Sequence, residues 1–91
     1  MSVGGDIRDF PVQVGVFEVN EIADGLVLYQ RAPERVHYLN RIASVVYELC
    51  TGENSVQQIA VLIGDAFGLP QPPLAEVRDC LATLRGEDVV R

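Results

Sequence analysis

The chain has no lysine and no tryptophan, a single histidine and only two cysteines. All seven bases are arginines, so Schiff-base and lysine-nucleophile chemistry are excluded. His37 with the widely spaced Cys50 and Cys80 cannot build a zinc site of the usual kind, and no metal is expected. The two thiols fit no pairing motif and read as small buried side chains in a reducing compartment. No apolar run approaches the roughly 20 residues of a membrane span. Met1 to Phe10 lacks the basic-then-apolar order of a signal peptide, so a cytoplasmic protein that touches no membrane is expected. Positive charge is also scarce. Thirteen acids against seven bases give a net charge of −6, which disfavours a nucleic-acid surface unless the arginines cluster.

Catalytic groups are equally sparse. The serines are Ser2, Ser44 and Ser55; Ser55 reads as a helix cap and Ser44 as a helix-surface residue. His37 falls inside a predicted strand rather than at a loop end, where a nucleophile–base pair would place it. The acids nearest in sequence to the two thiols, Glu48 and Asp79, do not activate a thiolate. Gly4-Gly5 precedes no strand and opens no helix, so it reads as no phosphate loop. The chain is therefore expected to be no enzyme and to carry no cofactor.

What is present is a small domain's worth of patterned apolar residues: 91 residues, 48% of them hydrophobic. The first fifteen residues read as a flexible arm before a domain over 16–91, with Pro11–Val14 either a short extra strand or a lead-in. Val16–Glu21 alternates Phe17 and Val19 against Glu18 and Asn20, as a half-buried strand does. Asp24-Gly25 reads as a hairpin turn, Leu26–Gln30 as a central strand, Arg31–Glu34 as a turn, and Arg35–Leu39 as a third strand. At Leu39-Asn40 the period changes from two to 3.6. Asn40 suits an N-cap, Ile42, Val46 and Leu49 mark one helix face, and Gly52 suits its left-handed end. Ser55 with Gln58 forms a capping box before Val56, Ile59, Ala60, Ile63 and Phe67, and Gly68 ends that stripe. After Pro70, Pro72 and Pro73 a third stripe follows, Leu74, Val77, Cys80, Leu81 and Leu84, ending near Gly86. Val89-Val90 is a final short strand or a tail laid back on the core. The order is three strands, then three helices: an α+β domain.

These residues carry a resemblance. The His37-Tyr38-Leu39-Asn40 strand end, the helix Arg41–Leu49, the Thr51-Gly52 stop, the Ser55–Ile59 opening, Phe67-Gly68, and Glu76–Asp79 with Leu81 and Leu84 resemble the PqqD family. The resemblance runs from Val16 onward; the proline-rich Pro70–Pro73 segment and the N-terminal fifteen residues depart from it. It implies a winged helix-turn-helix-like fold and a free-standing, non-catalytic adaptor. Such an adaptor binds the leader segment of a ribosomally made precursor peptide. It presents that segment to a modifying enzyme, of the radical S-adenosylmethionine type or a cyclase or protease.

The residues lead to a compatible site without the resemblance. A three-stranded meander leaves its third strand at an edge, and Arg35–Leu39 contains neither proline nor lysine to block strand addition. Arg35, His37 and Leu39 alternate with Val36 and Tyr38, so both faces remain candidates. Val77, Leu81 and Leu84 are candidates for one wall of an adjoining groove, and Arg35, Arg78 and Arg85 for cations meeting an acidic leader. Two other readings stay open. One is a winged-helix DNA-binding protein whose second and third helices pair. The other is a dimerisation module, a monomer or weak homodimer in which the free edge meets its own copy.

Overall fold

The computed structural model describes residues 7–15, 17–31 and 33–91. Three strands, β1 (Glu18–Ile22), β2 (Gly25–Gln30) and β3 (Arg35–Asn40), form an antiparallel open sheet in the order β1-β2-β3. Three helices follow: α1 (Arg41–Leu49), α2 (Val56–Ala66) and α3 (Leu74–Gly86). The α+β order of the sequence analysis is the observed one. Val16 and Ala32, and with them one end of the first predicted strand and part of the second turn, lie outside the described residues.

Register explains the two faces. Leu26 lies opposite Leu39, and Leu28 opposite both Val19 and His37, so these side chains share the helix-facing side. Val27 with Tyr38 and Tyr29 with Val36 share the other side. Leu26, Leu28 and Leu39 are buried, whereas Val36 and Tyr38 are exposed, which settles the face left open by alternation alone. The hairpin turn is Ala23-Asp24, one residue earlier than expected, because Gly25 already pairs with Ile22 and Asn40. Glycine is needed at that position for a different reason: a methyl there would collide with the carbonyl oxygen of Leu39.

The expectation of a half-buried first strand holds at Phe17, which is half-buried against the core, and fails beyond it. Every residue of β1 is exposed, because α1 packs on β2 and β3 and, among the described residues, no helix packs closely on β1. Alternation reports a strand with one apolar side; it does not supply a layer to cover that side.

The helix signals act locally as read. Asn40 accepts the Ala43 N–H at 2.9 Å, and Ser55 and Gln58 cap each other reciprocally at 3.1 and 2.8 Å. Gly68 takes a φ of 65° just beyond α2, where a side chain would be strained. The face of α1 is rotated from the predicted one. Its buried residues are Ser44, Val46 and Tyr47, while Ile42 is 40% exposed. Ser44 is therefore no surface residue: its hydroxyl donates to the Leu39 and Asn40 carbonyls and ties the start of α1 to the end of β3.

The core joins Leu26, Leu28 and Leu39 to Val46, Tyr47 and Cys50, to Val56, Ile59, Ala60 and Ile63, and to Val77, Leu81, Leu84, Val89 and Val90. The N-terminal segment, expected as a flexible arm through residue 15, is tied down between Asp9 and Val14. Val12 exchanges backbone hydrogen bonds with Arg91, Val14 donates to Val89, and the Asp9 carbonyl accepts the first N–H of α2. The Arg85 guanidinium grips the Asp9 carboxylate with two bonds, at 2.6 and 2.9 Å. Pro11–Val14 thus bridges to Thr51 and Val90 rather than joining the sheet.

Candidate functional site: an open strand edge beside a helix

Among the described residues, β3 pairs only with β2, so its outer backbone groups are left to solvent or to a guest. The bridged N-terminal segment lies against Thr51 and Val90 and does not occupy that edge. Among the described residues, helix α3 packs closely on α1 and α2 and its backbone stands off from the sheet. A gap therefore opens between α3 and β3, a groove of about 480 Å³. Buried Leu39 and Leu84 with half-buried Ala43 and Cys80 make its floor. Tyr38, Asn40 and Ile42 line one side, and Glu76, Asp79, Thr83 and Glu87 the other.

Contacts cross from β3 to Glu87. Arg35 donates to the Glu87 carbonyl, and His37 Nδ1 lies 3.4 Å from Glu87 Oε1. His37 also meets the Phe17 ring edge-on at 5.7 Å, and its Nε2 is buried without a hydrogen-bond partner among the described residues. Across the sheet, the Tyr38 hydroxyl donates to Asp24 at 3.1 Å, and that bond raises its pKa above the usual phenol value. Burial also raises the Cys80 thiol, so the one sulfur in the groove is held as the thiol, a poor nucleophile. Cys50, deeper still, is pushed up to about 12 by burial, with the nearby Cys80 adding to the shift.

The ten residues expected at the site divide into three sets. Arg35 through Leu39 form the edge strand, with Tyr38 and Leu39 lining the groove. Leu84 reaches the floor, but Val77 and Leu81 belong to the core, at 0% and 2% exposure, and line no part of the groove. Arg85 is committed to Asp9, and Arg78 is half-buried with an interaction of its own. Neither arginine is among the groove residues. Sequence reasoning missed Ile42, taken for a core residue, and the groove carboxylates Glu76, Asp79 and Glu87. Their common signal was available: Glu76, Asp79, Cys80, Thr83 and Glu87 recur at helical spacing, offset from the core stripe.

A larger hollow of about 580 Å³ lies between the N-terminal segment and α2, lined by Ile7, Phe10, Val61 and Leu62 among others. It adjoins no unpaired strand edge.

An open antiparallel sheet followed by three helices, with a helix-walled groove along one free edge, defines a class of small α+β domains. Within that class the chain belongs to the PqqD family: the family model described as coenzyme PQQ synthesis protein D (PqqD) matches residues 25–90. The match starts at the first residue of β2 and spans β3, the three helices and the groove between β3 and α3. No curated protein and no solved structure matches the chain. Among the described residues, no helix is long and apolar enough to cross a membrane.

Proposed function

We propose that this protein is a non-catalytic peptide-binding adaptor. It captures the leader segment of a ribosomally made precursor peptide by strand addition to β3, beside α3, and presents it to a modifying enzyme. The observation that carries the reading is the unpaired edge of β3 facing a groove, in a chain of the PqqD family.

The energetics say what the groove must contribute. Ordering five leader residues costs roughly 1–2 kcal/mol each, and each backbone hydrogen bond returns only about 0.5–1.5 net. Pairing alone thus comes out near zero. Two or three apolar leader side chains, at about 1.5–3 kcal/mol each, must supply the surplus, and micromolar binding needs about −8 kcal/mol in all. The apolar floor of Leu39, Ala43, Cys80 and Leu84 is where such anchors would be buried. The carboxylates on this side of α3 weigh against the DNA-binding alternative, because they would repel phosphate.

The test is a backbone-amide titration with synthetic leader segments of candidate precursor peptides. Shifts should appear together in Arg35–Asn40 and in Ala43, Cys80 and Thr83. Shifts confined to β1, or to the hollow around Phe10, would overturn the reading. The same open edge also accepts a second copy of the chain, and sedimentation with and without the leader separates that dimer from the adaptor.

A further inference from the structure

The groove differs in sign from what the arginine content suggests. Three of its eleven lining residues are carboxylates, Glu76, Asp79 and Glu87, and none is an arginine. The chain's candidate cations are used elsewhere: Arg85 grips Asp9, Arg35 donates to the Glu87 carbonyl, and Arg78 lies outside the groove. Glu87 is already faced by His37 and Arg35. Glu76 and Asp79 are different. Both are exposed, and none of the side-chain hydrogen bonds or ion pairs described for this fold engages either carboxylate.

Geometry makes the carboxylates relevant to a strand. From Glu76, in the first turn of α3, to Glu87, just past its last residue, is about 16 Å at 1.5 Å per residue. The six residues of β3 cover a similar distance at about 3.3 Å per residue, so the two walls match in length. Contacts at Glu87 fix the end of this wall beside Arg35 and His37. Glu76 and Asp79 then belong to the part of the groove shared with Asn40 and Ile42.

Building on the strand-addition reading above, we infer that the guest is a cationic peptide segment. Its apolar side chains fill the floor at Leu39 and Leu84, and it carries lysine or arginine at the end lying beside Asn40 and Ile42, against Glu76 and Asp79. A leader rich in acid would bring like charges together in the same space and be rejected. This reverses the expectation that arginines of this protein meet an acidic leader.

The experiment is a display selection of a randomised twelve-residue peptide library on the full chain and on the Glu76→Arg, Asp79→Arg double variant. Both positions are exposed, and melting curves check that the variant folds. Wild-type selections should enrich lysine and arginine at one end of an apolar centre, and the double variant should lose or invert that preference. A selected cationic peptide should bind the double variant about tenfold more weakly and lose affinity as salt rises. Selected peptides that shift β3 amides but carry no cation, or that bind the double variant equally well, overturn the charge assignment and leave strand addition standing. Peptides that leave β3 undisturbed, or a library with no enrichment, overturn strand addition and the charge assignment together.

Discussion

Among the described residues the sheet has two free edges, and they differ in what stands beside them. β1 is exposed along its whole length and meets α1 only across a small hollow of about 180 Å³ at its Glu21-Ile22 end; β3 ends in the core through Leu39 and faces α3 across a groove of about 480 Å³. Both edges offer unpaired backbone groups, yet pairing alone gives a guest almost nothing, because ordering the guest cancels its hydrogen bonds. The difference teaches that an edge becomes a site when apolar surface stands beside it. β1 also carries Glu18 and Glu21, charges of the kind that keep an edge from pairing.

The comparison breaks most visibly in stability. Leu84→Ala removes a side chain shared by core and groove floor and should cost about 2–5 kcal/mol in chemical denaturation. Val19→Ala, on the uncovered edge, should stay within about 0.5 kcal/mol. Equal losses would mean that β1 is covered after all.

Alkaline pH should loosen the helix-backed part next. Cys50 titrates near 9 in the unfolded chain and is pushed up to about 12 when folded. Between those values the unfolded state has released a proton that the folded state keeps, so stability falls as pH rises through this window and is unaffected by this group below it. The chemical-denaturation midpoint should fall across that window, and Cys50→Ala should flatten that pH dependence despite its own lower stability. The smallest effect concerns binding. Ile42→Ser, at an exposed position on the groove, should weaken a bound leader by about tenfold with little change in melting temperature. Ile22→Ser on β1 should leave affinity unchanged; calorimetric titration checks both.

Local chemistry was legible in the sequence and lateral placement was not. Asn40, the Ser55–Gln58 pair and Pro73 carry their instructions within four residues, and the helices begin where those residues say. Helix α1 groups Arg41, Ser44 and Glu48 on one side and its apolar residues on the other, so periodicity placed Val46 inward correctly but put Ser44 outside and Ile42 inside. Ser44 is buried because its hydroxyl is satisfied by two carbonyls at the strand–helix junction. The groove illustrates a deeper limit. A helix that packs on a core with one stripe meets a groove with another, so Val77 and Leu81 cannot serve both. The apolar pattern points to the core stripe, whereas the groove stripe has the composition of ordinary surface. The candidate edge, Arg35–Leu39, was legible because position in the meander alone makes it terminal.

The clasp between Asp9 and Arg85 spans 76 positions of sequence, and the stretches of chain it joins also share backbone bonds at Val12, Val14, Val89 and Arg91. Because the Asp9 carbonyl also caps α2, undoing this seam frees the first turn of one helix together with both tails. The two extremities therefore melt as a single cooperative patch, and fraying that starts at either one is transmitted to the other.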